Sequence, residues 1–270
     1  PAYIASMASM TSMTSEEKKA AIGHALQRIK HQLGPVQLVA VTKYTGIEEI
    51  THAYEMGQRD FGENRVQDLL KKNEQLAHLK DLRWHFIGHL QRNKVKDLLK
   101  VDRLTAIHSV DSQALLEKII TARLEEAQER RATRVPKDTP GAGCGGKGNW
   151  QPLDLFFEVN TSGEEEKSGF RESKALIQAF QQALKESGPA QLHPLGLMTM
   201  GTFRTDNTES EAHRCFKQLQ DLKWEIEQSL GIKDLKLSMG MSSDYQIALQ
   251  YGVDYVRIGS QIFGQNFFLK

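Results

Sequence analysis

The sequence lacks several features that would assign it to a specialised class of protein. Its 270 residues include only two cysteines, Cys144 and Cys215, too few for a disulfide framework and without CxxC spacing. The formal net charge is +1, because 35 Lys and Arg residues face 34 Asp and Glu residues, so the overall charge gives no argument for binding nucleic acid or an anionic membrane. No apolar run approaches the roughly 20 residues that cross a bilayer. These absences predict a cytoplasmic protein in a reducing compartment.

The first residues of the sequence do not have the pattern of a targeting signal. Residues 1–14 are uncharged and rich in Ser and Met, with neither the basic region of a signal peptide nor the arginines of a transit peptide. We interpret them as a disordered extension or an expression remnant, and expect the folded domain to comprise residues 15–270. The stretch 131–150 is rich in Pro, Gly and charge, and is predicted to be a mobile surface insertion within that domain.

The remaining sequence alternates regularly between strand-length apolar runs and helix-period segments. A capping box over Thr14–Glu17 predicts an N-terminal helix that stops at Gly34-Pro35. Eight candidate strands follow: Val36–Thr42, Arg59–Gly62, Trp84–Gly88, Thr105–Val110, Leu153–Asn160, Pro194–Met200, Leu235–Met239 and Tyr255–Ile258. This pattern favours a single (β/α)₈ TIM barrel with an extra N-terminal helix, and an open doubly wound sheet is the alternative. No GxGxxG or GxxxxGK[ST] motif follows the first strand, so there is no motif for a dinucleotide or nucleoside triphosphate.

Four of the connecting helices have boundaries that the sequence predicts. Two of them end at a glycine, Gly57 and Gly252, a residue type that commonly follows a helix C-terminus. The four predicted helices are Ile47–Met56, Asp111–Arg130, Thr208–Leu230 and Ser242–Tyr251.

One lysine stands at the end of a predicted strand, where barrel enzymes carry their chemistry. Lys43 closes the apolar run LVAVTK. Partial burial there would lower the pKa of its amine and make Schiff-base chemistry accessible. Many lysines close strands with the ammonium in solvent, so Lys43 alone leaves both interpretations open.

The last two predicted strands end in residues suited to a phosphate group. Ser238 and Gly240 stand at the end of the seventh strand, and Gly259 and Ser260 follow the eighth. The loops after these two strands form the common phosphate site of TIM barrels, and a helix starting near Ser242 would add its dipole. Either Gly-Ser pair alone is also explained by turn formation.

Six motifs give the sequence a recognisable pattern. They are FGEN at 61–64, WHFIGHLQRNK at 84–94, VNTSGEEEKSG at 159–169, GLMTMG at 196–201, LSMGMSSD at 237–244 and VRIGSQIFG at 256–264. In this order the sequence resembles the pyridoxal phosphate homeostasis protein family, whose members resemble the barrel domain of alanine racemases. Thr42, Ser260 and the insertion at 131–150 are small departures from the family pattern.

The resemblance implies a site for pyridoxal 5′-phosphate (PLP). It implies that Lys43 forms a Schiff base with PLP and that Arg257 faces the pyridine nitrogen. It further implies phosphate ligands at Ser238, Gly259 and Ser260, and ring or pocket contacts from Asn64, His85 and Met198. A guanidinium only donates hydrogen bonds, so Arg257 would keep the ring nitrogen unprotonated and weaken carbanion stabilisation.

The resemblance favours a carrier of PLP that supplies apo-enzymes and has no robust catalysis. Ordinary barrel surfaces fit a monomer or a weak dimer, and we expect a monomer. Only six residues follow Gly264, and we expect no second, β-rich domain of the kind that completes the racemase site. The alternative is a PLP-dependent racemase or lyase that uses Lys43 as its base, with Tyr44 or His85 as the second group.

Other residues receive ordinary interpretations. His85 and His89 have no third ligand at metal-site spacing, so no metal is expected. The basic residues between Arg92 and Arg103 alternate with acids on a helical segment and predict a solvated face, with no nucleic-acid site. Cys215 is predicted to pack as an inert residue on the apolar face of its helix.

Overall fold

The computed structural model describes residues 13–132, 151–201 and 208–264. The tail predicted at 1–14 lies outside the described residues except for its last two positions, and the insertion predicted at 131–150 except for its first two.

The described residues form a closed barrel of eight parallel strands. The strands follow one another around the barrel in sequence order, and the last strand pairs with the first. The strands are β1 (Gln37–Val41), β2 (Asp60–Glu63), β3 (Arg83–Phe86), β4 (Leu104–Val110), β5 (Leu153–Glu158), β6 (Leu192–Met198), β7 (Lys236–Ser238) and β8 (Tyr255–Ile258). All eight predicted strands are therefore confirmed, and the open sheet is wrong.

Helices connect the strands, and one additional helix precedes them. They are α1 (Ser15–Leu33), α2 (Ile47–Glu55), α3 (Val66–Gln75), α4 (Val95–Leu98), α5 (Gln113–Ala132), α6 (Ser173–Ala190), α7 (Thr208–Leu230), α8 (Tyr245–Ala248) and α9 (Ser260–Phe263). Short 3₁₀ turns cover Arg92–Lys94 and Leu249–Tyr251. The N-terminal helix has the predicted capping box between Thr14 and Glu17, and it buries Ile22, Leu26, Ile29 and Leu33.

The predicted helix Ser242–Tyr251 starts later in the structure. Gly240 has φ +86° and sends the chain into a turn, in which the Asp244 carboxylate accepts a hydrogen bond from the Met241 N–H at 2.6 Å. The α-helix begins only at Tyr245 and covers four residues before the 3₁₀ turn. A helix dipole from Ser242, one part of the phosphate prediction, is therefore not available.

The two faces of the strands have different neighbours. Residues such as Trp84, Ile107 and Leu237 point outward into the large apolar core between barrel and helices. The alternate residues point into the barrel, where a small separate cluster of Ala106, Phe156 and Met198 packs beside Leu195 and Tyr255. The interior of a TIM barrel is ordinarily filled by layers of branched apolar side chains. Here polar side chains occupy much of the interior, and they lead to the candidate site.

Candidate functional site

The candidate site lies where β7, β8 and β1 end side by side. Because the strands are parallel, their carboxyl ends share one mouth of the barrel, and the closed order puts β8 between β7 and β1. Ser238 ends β7, Arg257 lies within β8, and Lys43 follows β1 by two residues. The fold thus brings together three residues that the sequence predicted for one site.

The side chain of Lys43 is half-buried at this mouth. Burial lowers the pKa of its amine, and the negative charge of Glu63 opposes this change in part. The next residue, Tyr44, has φ +69° and an exposed side chain, so the chain turns sharply after the lysine. A lower pKa leaves a larger fraction of the amine neutral near neutral pH, and the neutral amine is the form that reacts in Schiff-base formation.

A buried ion pair fixes the backbone before Lys43. The ammonium of Lys72 lies 2.6 Å from the Glu63 carboxylate and also donates to the Thr42 carbonyl at 2.8 Å. The Thr42 hydroxyl donates to the same carboxylate oxygen at 2.6 Å. Glu63, the last residue of β2, therefore holds Thr42 in place directly before Lys43.

Arg257 is fully buried and held from two sides. One Nη donates to Ser238 Oγ at 2.7 Å, and the other donates to the Thr199 carbonyl at 2.9 Å. Burial lowers the pKa of the guanidinium to about 10. The negative charges of Asp244 and, second, Glu158 oppose this change. Arg257 is thus cationic at neutral pH and offers only donors.

The loops after β7 and β8 have the tight geometry that the glycines permit. A Cβ on Gly240 would lie 2.8 Å from Ala248 Cβ, and the Gly240 carbonyl accepts from the Arg257 backbone N–H at 3.0 Å. Gly259 is buried and precedes α9, and Ser260 is the half-buried first residue of that helix. Both predicted phosphate ligands of β8 therefore lie at the same mouth as Ser238.

The remaining predicted contacts lie in different surroundings. Asn64 is half-buried just beyond β2. Met198 is fully buried inside the barrel, at the end of β6 and paired in register with Ser238. His85 is buried deeper, where its ring contacts Asp60 and His108. That these three residues contact the cofactor stays a prediction.

Three polar residues of the barrel interior were not predicted from the sequence. Asp60, His108 and Glu158 point inward from β2, β4 and β5. Residues two positions apart on a strand point to the same face. Ala106 and Phe156 point into the barrel, and therefore so do His108 and Glu158. Strand alternation could have identified them, since a histidine or acid on the inward face of a barrel strand is unusual.

The first two of these residues belong to a continuous hydrogen-bonded chain. Asp60 Oδ1 lies 3.0 Å from His85 Nε2, and His85 Nδ1 lies 2.9 Å from His108 Nε2. His108 Nδ1 lies 2.8 Å from Ser238 Oγ, which accepts from Arg257. We call Asp60, His85, His108 and Ser238 the interior chain.

The third, Glu158, lies near the mouth. Burial and the neighbouring charge of Asp111 raise the pKa of its carboxyl group to about 7, and Arg257 opposes this effect. Asp111 in turn pairs with the exposed ring of His89 at 3.1 Å.

The residues given ordinary interpretations have the following neighbours in the structure. In the basic stretch, Lys96 pairs with Glu125 at 2.7 Å and Lys100 with Asp97 at 2.8 Å. Cys215 is buried on its helix, as predicted. Among residues 13–132, 151–201 and 208–264, no helix has both the length and the apolar character to cross a membrane, and no cluster of three or more His, Cys, Asp or Glu side chains could hold a metal ion.

Comparison with known proteins identifies the family. Residues 18–267 match the family model described as alanine racemase, N-terminal domain. The chain is 40% identical over 230 residues to the pyridoxal phosphate homeostasis protein of Schizosaccharomyces pombe, covering 85% of this chain and 84% of that protein.

Solved structures agree with this assignment. PipY of Synechococcus elongatus PCC7942, solved with PLP bound, is 31% identical with a TM-score of 0.72, covering 90% of this chain and all of that one. Alanine racemase from Corynebacterium glutamicum shares the fold at 15% identity and a TM-score of 0.62, over 93% of this chain and 64% of that one. The chain therefore belongs to the alanine racemase N-terminal domain family and, within it, to the pyridoxal phosphate homeostasis proteins.

Proposed function

We propose that this protein binds PLP at the mouth formed by β7, β8 and β1, with Lys43 as its Schiff-base partner. The convergence of Lys43, Ser238 and Arg257 at this mouth carries the proposal. It is supported by the relative PipY, which was solved with PLP bound. In this proposal Ser238, Gly259 and Ser260 hold the phosphate, and Asn64, His85 and Met198 line the pocket.

The donor set fits this cofactor. PLP needs an amine that is neutral often enough to react with its aldehyde, and burial lowers the pKa of Lys43 in that direction. Its phosphate needs donors, which the Ser260 hydroxyl and the glycine-flanked backbone of the β8 loop offer. PLP, when bound, supplies an electron sink for reactions at the α-carbon of amino acids.

The chemistry around Arg257 favours a carrier over a racemase or lyase. A strong electron sink needs a protonated ring nitrogen, which enzymes commonly stabilise with an acidic partner. Arg257 is cationic and already donates to Ser238 and the Thr199 carbonyl, so a ring nitrogen facing it is kept as an acceptor. We propose that the protein holds PLP in the cytoplasm as a monomer and releases it to apo-enzymes, with no nucleic acid, membrane or metal involved.

Visible spectroscopy followed by borohydride reduction tests the site. Purified protein with added PLP should show the yellow band of an imine, and peptide mapping after reduction should find the pyridoxyl group on the peptide that contains Lys43. A spectrum of free PLP alone, with no labelled peptide, would refute the proposal. Incubation with a panel of L-amino acids in D₂O tests the carrier role, since a racemase would exchange the α-proton.

A further inference from the structure

The interior chain runs through the barrel, from the end opposite the mouth to the candidate site at the mouth. Asp60 starts β2, and its carboxylate is bound by Arg83, whose side chain is 46% exposed at that end. His85 and His108 are 2% and 0% exposed, and Ser238 is 0% exposed at the mouth. The chain therefore joins an ion pair near solvent to a predicted cofactor ligand through two buried imidazoles.

The positions of the hydrogens in this chain follow from its ends. Arg83 and His85 hold the pKa of Asp60 at about 2 despite its burial, so Asp60 is ionised and accepts from His85 Nε2–H. If His85 is neutral, its Nδ1 is an acceptor, and His108 must donate to it from Nε2. His108 Nδ1 is then an acceptor as well, and the Ser238 hydroxyl donates to it. In this state the single hydroxyl proton of Ser238 is donated to His108, so it is not available to a ligand.

One added proton reverses every hydrogen bond between His85 and Ser238. With both nitrogens of His85 protonated, His85 donates from Nδ1 to His108 Nε2, and the neutral His108 donates from Nδ1 to Ser238 Oγ. Burial, His85 and Arg257 hold the pKa of His108 well below its ordinary value, so His108 itself stays neutral. Ser238 Oγ then accepts from both His108 and Arg257, and its own proton is free to donate into the mouth.

The groups around the chain allow this charge. Asp60 from β2 contacts His85 and favours a positive charge there, while Arg83 from β3 and the Gln37 side chain from β1 also donate to Asp60. The charge of Arg83 opposes that of His85 in part. Tyr255 from β8 lies 6.3 Å from the His85 ring centroid, and burial raises the pKa of its hydroxyl to about 12, which keeps it neutral.

The environment of His108 and Ser238 is apolar or balanced. Phe156 from β5 stacks on the His108 ring with centroids 4.3 Å apart, and offers no charge. Arg257 adds a positive charge beside Ser238, and Asp244 and Glu158 oppose it. A bound phosphate adds negative charge at the Ser238 end of the interior chain, whereas the carboxylate of the interior chain, Asp60, lies at the other end.

We propose that binding of PLP draws one proton into the interior chain, which frees the Ser238 hydroxyl to donate to the cofactor phosphate. The proton enters at Ser238 Oγ from the mouth as the original Ser238 proton moves to His108 Nδ1. The His108 Nε2 proton moves to His85 Nδ1. The net change is one proton gained by the chain and one positive charge on His85, beside Asp60. The proposal rests on the proposed function, since it takes Ser238 as a phosphate ligand.

Nitrogen-15 NMR of the histidine side chains tests the hydrogen positions directly in the unmodified protein. The His85–His108 pair is recognised among the nine histidines by the coupling between nitrogens across their N–H···N hydrogen bond. Without PLP, His108 should carry its proton on Nε2. With PLP bound, it should carry the proton on Nδ1, and His85 should be protonated on both nitrogens. A His108 tautomer that does not change on PLP binding would overturn the proposal.

Calorimetry in buffers of different ionisation enthalpy gives the number of protons taken up with PLP at pH 7.5. Protons from Lys43 and the phosphate are common to all variants and cancel in differences. The unmodified protein should take up close to one proton more than His85→Phe or His108→Phe. His193→Gln is the matched control, because His193 pairs with Asp154 at 2.8 Å and has no link to Ser238; it should match the unmodified protein.

The two failures are distinguishable. If PLP binds with an imine on Lys43 but the proton count is the same in the unmodified protein and in both phenylalanine variants, the relay is refuted and the proposed function stands. If PLP does not bind at all, the proposed function fails first.

Discussion

Gly88 lies against the backbone of Asn64 so closely that any side chain would collide with it. A Cβ on Gly88 would be 2.1 Å from the Asn64 carbonyl oxygen. The two residues belong to the FGEN and WHFIGHLQRNK motifs, which follow the neighbouring strands β2 and β3. The glycine therefore sets where Asn64, a predicted PLP contact, can lie.

Gly88→Ala should destabilise the protein and weaken PLP binding. Overpacking against backbone costs about 1–3 kcal/mol, because backbone cannot rotate away as a side chain can. Gly188→Ala is the matched control: it lies in α6 with nothing within 4 Å of the new Cβ, and should be neutral or stabilising by up to about 1 kcal/mol. Urea unfolding measures both. Equal stabilities of the two variants would contradict the close approach.

Lys43→Ala should abolish the imine but leave some PLP bound. The lysine and the proposed phosphate ligands lie on different strands, so loss of one set of contacts spares the other. We expect affinity to fall roughly 10- to 100-fold, or about 1.4–2.8 kcal/mol, with the yellow band absent. Spectral titration and equilibrium dialysis measure the two effects. Lys100→Ala, which removes an exposed partner of Asp97, is the control. Retention of the imine would exclude Lys43 as the partner.

Glu63→Gln should shift imine formation to lower pH. The Glu63 charge raises the pKa of Lys43 against the lowering effect of burial, so its removal lets this pKa fall further. The fraction of neutral amine at a given pH then rises. The imine absorbance as a function of pH gives the midpoint, and Glu125→Gln, remote from the mouth and paired with Lys96, should leave it unchanged. A shift to higher pH would contradict the electrostatic role of Glu63.

Ser260→Ala should weaken PLP without affecting pyridoxal, which lacks the phosphate. A hydrogen bond to a charged group contributes about 1.5–3 kcal/mol, or roughly 10- to 100-fold in affinity. Ser238→Ala should weaken both ligands, because it also removes the acceptor that holds Arg257. Ser187→Ala, on the exposed end of α6, should change neither. If both ligands keep their affinity in Ser260→Ala and Ser238→Ala, the phosphate lies elsewhere.

Glu158→Gln should stabilise the protein at alkaline pH. The folded protein raises the pKa of Glu158 from 4.5 to about 7, so ionising it costs stability as pH rises from about 4.5 to 7, and the full cost persists above pH 7. For a partly exposed group we expect a gain of about 2 kcal/mol at pH 8 and almost none at pH 4.5. Urea unfolding at both pH values measures this, and a gain independent of pH would contradict the ionisation argument.

Much of the fold was predictable because it depends on local patterns. The eight strands were visible as apolar runs, and the capping box at Thr14 and the glycines that end helices were visible as single residues. The boundary of α8 was not, because Gly240 and the Asp244 carboxylate form a turn where the periodicity alone favoured a helix from Ser242.

The site divides along the same line. Lys43 and Ser238 were predictable as residues at strand ends, since every strand end in a parallel barrel faces the same mouth, and the family resemblance added Arg257. The interior chain was not predicted. The sequence separates Asp60 from His85 by 25 positions and His85 from His108 by 23. Each of these residues, taken alone, is compatible with a structural role.

The sequence by itself determined the order of strands and helices, the family motifs and the lysine at the end of the first strand, because these depend on residue type and spacing along the chain. Only the tertiary structure decided which inward-facing side chains meet. Closure of the barrel brings β8 beside β1 and brings His108 of β4 across the interior to Ser238 of β7, 130 positions later. Hydrogen bonds depend on distances of about 3 Å between atoms, and those distances exist only once the barrel has closed.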